Sequence, residues 1–282
     1  MEPTMPPRRK EQDDNDPRNF DPRSSNHALF AHKLRTYRER EGLTQAEVGT
    51  SCNVSQKTIS AIENLYRIPN DDVAEKLDRL FGVDIFADLY WLILRDAELM
   101  PDFLSYTSHE SRADSIRVFA PMLIPGLFQT QAYARAILQT ETPAAQLEQA
   151  VALRMGRQEL LDREEPPFIV VLIKEAALRD PVGGCEVQKE QLDHLLELAK
   201  RPNINIHVIP DGAPVYDRSM FALFGFDEES ALGYVEAAVD RGHTLEPPAL
   251  VHRLAMAFDR ARAEALSATE SVVRIRSIRE AL

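Results

Sequence analysis

An all-α head followed by a larger α/β (α+β) domain is the multi-domain fold class that this 282-residue sequence predicts. Three observations point to it. From Asn26 to about Gly82, short helical patterns follow one another, each opened by a residue able to cap it. From Phe168 onward, β-branched runs alternate with a helix-length amphipathic segment, as in a strand–helix–strand unit. The length exceeds one small module and suits two domains.

Taken in order, residues 1–25 are rich in proline and charge and lack an apolar core. They read as a disordered leader and not as a secretory signal. Asn26 to Glu41 has apolar or aromatic residues at 29, 30, 34 and 37, and Gly42 stands in a stop position. Thr44 can cap the next short helix, Ser55 the one after, and Asn70 or Asp71 a fourth with Val73, Leu77 and Leu80 on one face. These define a head over residues 26–83 and a second domain over 84–282. Asp84 to about Gln139 reads as mostly helical, broken by "APMLIPGLFQT", with Thr130 capping "QAYARAILQ". Ala144 to Arg163 reads as one helix. Phe168–Ile173, Ile204–Ile209, Phe221–Phe226 and Gly233–Val239 read as strands, with a helix at Val187–Lys200. Two helices finish the chain, the last opened by a Ser267/Glu270 capping box.

Apolar residues are 44% and charged residues 28%, an ordinary globular balance. No apolar run is long enough to span a bilayer, so no membrane partner is expected. Cys52 and Cys185 are far apart and support neither a disulfide framework nor a zinc site. The expected location is the cytoplasm.

The stretch "LTQAEVGTSCNVSQKTISAIEN", Leu43 to Asn64, has the spacing of a helix, a tight turn and an exposed second helix. Leu43, Val48, Cys52, Val54, Ile59 and Ile62 form the inward face. Gly49 is small where two helices approach, and Asn53 tolerates a left-handed turn. The outward side carries Gln56, Lys57, Thr58, Ser60 and Asn64. Gln and Asn side chains pair with adenine edges and Thr contacts a thymine methyl. Thr44 and Gln45 open the preceding helix, where phosphates are commonly met. With the cap Ser55 and the cation Arg67, these residues form the candidate DNA-binding set. The competing reading is a helix pair used only for packing.

The net charge of −12 runs against DNA binding, but it is unevenly distributed. Ser24 to Leu80 carries eight cations and eight anions, and residues 1–23 five cations and six anions, so −11 falls on the rest. Distant acid is largely screened beyond about 8–10 Å. A neutral head implies modest, salt-sensitive affinity and two heads on one palindromic operator. The leader's "PRRK" either adds a phosphate contact or stays solvated.

Over Asn26 to Phe81, "LRTYREREGLTQAEVGTSCNVSQKTISAIEN" resembles the XRE/Cro-type, lambda-repressor-like helix-turn-helix family. One departure stands out. Leu65 occupies the position two after Glu63 where that family usually has Gly, with Asn64 as the residue able to take the bend instead. From about Tyr90 onward, "LIPGLFQTQAYARAIL", "ALRMGRQELL", "EAALRDPVGG" and "RPNINIHVIP" resemble the large domain of unknown function of many actinobacterial, antitoxin-like transcriptional regulators. That resemblance implies a cytoplasmic, DNA-binding regulator that joins the nucleoid when bound. It also implies a small companion protein encoded nearby as a partner. A homodimer is expected alongside double-stranded DNA.

The second domain spells no catalytic site, metal ligand set or cofactor loop: it has no HExxH, Gly-x-Ser-x-Gly or phosphate-loop pattern. Glu175 follows a strand, where an active-site carboxylate or an arginine-paired Glu can sit. Arg154, Arg157 and Arg163 form either an anionic-ligand patch or a solvated helix face. Gly183-Gly184 reads as a turn. The expectation is a non-enzymatic regulator whose second domain senses a ligand or partner, dimerises, or both. The alternatives are an enzyme, or a pure protein-interaction module, carrying the same head.

Overall fold

The computed structural model describes residues 20–96, 101–140, 142–237 and 242–282. Most of the leader, including "PRRK", and the final residues of the strand expected at Gly233–Val239 lie outside them.

Among the described residues the head has five helices: α1 (Asn26–Arg40), α2 (Gln45–Cys52), α3 (Gln56–Glu63), α4 (Asp71–Phe81) and α5 (Phe86–Asp96). Side-chain oxygens of Ser25, Thr44, Ser55 and Asn70 cap the first four. Asp78 serves the start of α5, accepting the backbone N–H groups of Ile85, Phe86 and Ala87 at 2.9 Å each. Phe86, Leu89 and Ile93 of α5 enter the same core as Phe30, Leu34, Ile59, Ile62 and Leu77. The packed helical head therefore extends beyond residue 83.

The first four helices each end on a residue in the left-handed region: Gly42 (φ 67°), Asn53 (φ 56°), Leu65 (φ 63°) and Gly82 (φ 64°). After α3, Leu65 N–H donates to the Ile62 carbonyl at 3.2 Å and Tyr66 N–H to that of Ala61 at 2.9 Å. This paired pattern satisfies the last carbonyls and demands a left-handed residue at Leu65. Asn64, with φ −107°, does not take the bend. A branched side chain there costs about 1–2 kcal/mol, and glycine's greater unfolded-state freedom offsets about half of that. Leu65→Gly should therefore stabilise the head by about 0.5–1 kcal/mol in urea unfolding. A loss of stability would show that packing of the half-buried Leu65 side chain outweighs the strain.

The second domain, the body, is built on a six-stranded sheet, ordered β3-β2-β1-β4-β5-β6. Its strands are β1 (Ser115–Ala120), β2 (Phe168–Lys174), β3 (Ile204–Ile209), β4 (Phe221–Gly225), β5 (Leu232–Glu236) and β6 (Gly242–Leu245). The first three are parallel, with Val118 opposite Val171 and Val171 opposite Ile206. The other three are antiparallel. The helices are α6 (Pro101–Arg112), α7 (Gln131–Leu138), α8 (Leu147–Gly156), α9 (Glu175–Arg179), α10 (Cys185–Leu198), α11 (Pro248–Ala263) and α12 (Ala268–Ala281). One sheet face packs Ile116, Val118, Val171 and Ile206 with Leu192 and Leu195 of α10 and Ile275 of α12. The other packs Phe119, Val170, Leu172 and Phe221 with Val251 and Phe258 of α11.

Two expectations are corrected. The central strand β1 lies where helix was expected, and β6 went unread. "SIRVFA" is only six residues between a helix and a proline-rich loop, and its identity comes from pairing with β2 and β4 on its two sides. The single helix expected over 144–163 is α8 followed by a tighter 3-10 segment, Arg157–Asp162.

Head and body meet through α8. Ile68 N–H donates to the Ala152 carbonyl at 3.2 Å. Gln149 Nε2 donates to the Ile93 carbonyl at 2.9 Å. Ala152 is buried in the head's own core.

Candidate nucleic-acid interface

The turn between α2 and α3 closes when Val54 N–H donates to the Gly49 carbonyl at 2.8 Å. A Cβ on Gly49 would lie 2.7 Å from the Val54 carbonyl oxygen. The absent side chain is thus required by the turn itself. Asn53 holds the left-handed corner, as its residue type predicts. Val48, Cys52, Ile59 and Ile62 are buried, with Leu43 and Val54 packed half-buried against them. Burial pushes the Cys52 thiol up to about 12, so it acts as a packing group.

A buried carboxylate orients α3. Glu63 is 2% exposed and receives Arg38 Nε at 2.6 Å and Arg38 Nη2 at 3.1 Å. Gln45 Nε2 donates to Glu63 Oε2 at 2.8 Å, and Arg35 Nη2 to the Glu63 backbone carbonyl at 2.7 Å. The hydrogen bonds to Glu63 raise Arg38 above its ordinary pKa. This knot joins α1, α2 and α3. Sequence reading missed it, although Glu63 sits four residues after Ile59 on the inward stripe, where a charge must be paired.

The candidate residues fall into three groups. Thr44, Gln56 and Lys57 are exposed. Gln45, Ser55, Ser60, Asn64 and Arg67 are half-buried. Thr58 is 2% exposed, which corrects its placement on the outward side. Its hydroxyl lies 3.0 Å from Ser55 Oγ and accepts from Arg67 Nη1 at 3.4 Å. Thr44 is committed to a capping box with Glu47. Gln45 is turned to Glu63, and Asn64 Nδ2 donates to the Ser60 carbonyl at 2.7 Å. The accessible polar surface of α3 is thus its first turn, Gln56 and Lys57, flanked by Ser60.

That first turn lies within electrostatic reach of the body. His194 on α10 is depressed first by burial, then by the positive charges of Arg201 and Lys57. His27, buried at the other side of the loop after α3, is lowered to about 4 by burial. It is neutral at pH 7, and its Nε2 lies 3.3 Å from the Arg67 carbonyl, which can only accept.

In the body, Glu175 is held by Arg179 Nε at 2.8 Å and Arg274 Nη1 at 3.1 Å. Burial alone would raise its pKa, but the two arginines outweigh it and hold the carboxylate below its usual value. Arg163 donates to the Ser111 carbonyl. Arg154 and Arg157 instead line a cavity beside the sheet.

No curated protein and no solved structure matches the chain. Residues 34–86 match a helix-turn-helix family, which supports a DNA-binding regulator. Residues 103–277 match a family described as a domain of unknown function, DUF5753. Since that match takes in more than half of the 282 residues, the chain belongs to the DUF5753 family, with a helix-turn-helix domain at its head.

Proposed function

We propose that the protein is a sequence-specific transcriptional regulator, not an enzyme, whose head reads DNA through the first turn of α3 and whose body receives a signal. The observation that carries this reading is the exposed Gln56–Lys57 pair at the start of a helix pinned from behind by the Arg38–Glu63 knot. A reading helix must present a polar edge on a rigid support. Gln56 is suited to a base edge and Lys57 to a base or phosphate. A homodimer on a palindromic operator supplies the affinity that one neutral head lacks. The resemblance to antitoxin-like regulators makes a small companion protein the second expected partner.

Fluorescence anisotropy on the native promoter tests this. Gln56→Ala with Lys57→Ala should weaken specific binding by about 10- to 100-fold, equivalent to one or two lost base contacts. Binding should also fall with rising salt on a shallow slope, since few cations face the phosphates. Unchanged affinity in the double variant, or a salt-independent complex, sinks the assignment. A body that binds its companion while the head ignores every promoter fragment would instead establish the pure interaction module.

A further inference from the structure

A cavity of about 420 Å³ opens beyond the carboxyl end of β1. Its walls are the Pro121–Gly126 loop after β1, Arg218–Met220 ahead of β4, and Tyr234 and Glu236 on β5. The sheet reverses at this point. β2 lies parallel to β1 on one side, and β4 lies antiparallel on the other. Ligands of open α/β sheets bind where strand order reverses, outside the carboxyl ends of the strands. The volume lies within the range of small-molecule sites, about 300–1,000 Å³.

Charge defines what fits. Residues 81–282 carry −11, yet Arg154, Arg157 and Arg218 all line this cavity. Arg157 is fixed by a bidentate pair to Glu110, at 2.8 and 2.9 Å. Arg154 Nη1 donates to Gln129 Oε1 at 3.2 Å. Arg218 is exposed and forms no ion pair among the described residues. Three guanidiniums against Glu110 and Glu236 leave one positive charge. The wall also has an apolar part: buried Ile124, with Met122 and Leu123, which are 67% and 40% exposed.

We propose that this cavity binds a small amphipathic anion, a carboxylate or phosphate with an apolar tail, and that α8 reports its occupancy to the head. Arg154 on α8 and Arg157 just after it line the cavity. Ala152 and Gly156, on the same helix, touch Ile68 of the head. A ligand that prefers one placement of this helix shifts the head by the same free energy. The ligand class deepens the regulator reading, but the site itself stands without DNA.

The test uses the full chain and no DNA. Sodium octanoate and octyl phosphate should bind in calorimetry, while 1-octanol and inorganic phosphate should not. The tighter of the two anions identifies the headgroup, and either supports the site. Arg154→Gln with Arg218→Gln should weaken octanoate at least about tenfold, as expected for lost charged hydrogen bonds. Arg218→Gln alone, at an exposed position, keeps the test valid if the double variant misfolds; it should still weaken binding severalfold. The sole tryptophan, Trp91, lies at the head–body seam beside Ile68 and Gly156 and outside this cavity. Its emission should shift on saturation with octanoate. Octanol binding as tightly as octanoate, affinity untouched by the arginine variants, or binding only of an acidic peptide would overturn the site. Trp91 emission unmoved at saturation would overturn the link to the head. Neither result depends on whether the head binds DNA.

Discussion

Gly156→Ala is expected to destabilise the protein by about 3 kcal/mol or more and to split one cooperative unfolding transition into two. Gly156 is the last residue of α8, and a Cβ built there lies 1.8 Å from the Ile68 carbonyl oxygen and 3.0 Å from its carbon. Both obstacles are backbone, so no rotamer change relieves the overlap. The loop after α3 must withdraw, and with it goes the Ile68–Ala152 hydrogen bond that joins the two parts. The head's core otherwise comes from its own helices, so it should survive the separation as an independent unit. The sign of the result is discriminating. Helix propensity alone predicts that alanine improves this position by about 1 kcal/mol. Calorimetry showing a single transition at an unchanged or higher midpoint would mean that close approach at Gly156 is not what couples head to body.

The parts legible in the sequence are those written in local chemistry. Thr44, Ser55 and Asn70 cap the helices they precede, and Ser267 with Glu270 forms the expected box. Each needs only residues within one turn. The apolar runs of β2 and β3 are legible because buried parallel strands tolerate no polar interruption. The rest depends on what arrives from elsewhere in the chain. "SIRVFA" becomes the central β1 because residues over 50 and 100 positions later pair with it. Thr58 is buried although it follows two exposed polar residues, since Arg67 folds back over its hydroxyl. Gly156 looks like an ordinary helix terminus until Ile68 is brought against it. Leu65 stands out in the sequence, but which residue takes the left-handed bend depends on the hydrogen bonds that end α3.

Glu159→Gln should remove a fall in stability that the native protein shows as pH rises from about 5 to 8. Glu159 lies in the 3-10 segment after α8, 0% exposed, with neither carboxylate oxygen in a well-formed hydrogen bond. Burial raises its pKa to about 8; Arg67 from the head, the Asn70 backbone N–H and Arg163 oppose the rise, and Asp162 adds to it. The unfolded chain loses this proton near 4.5, so between 4.5 and 8 the native state binds more protons than the unfolded one. Stability is then complete below 4.5 and declines as pH passes toward 8. The decline is about 4 kcal/mol at most, and less as Arg67 and Arg163 move toward the developing charge. The amide of Gln keeps the shape and never ionises. The buried His27 and the half-buried His194, with lowered pKa values, act in the opposite sense, adding stability as pH rises toward 6.5. They are common to both proteins, so the difference between the two curves isolates Glu159. Urea unfolding at pH 5, 6.5 and 8 should give curves that converge at the acid end and separate at the alkaline end, with the variant more stable. Parallel curves would mean that Arg67 and Arg163 keep Glu159 ionised throughout, and that head and body are joined there by a buried ion pair instead of a buried proton.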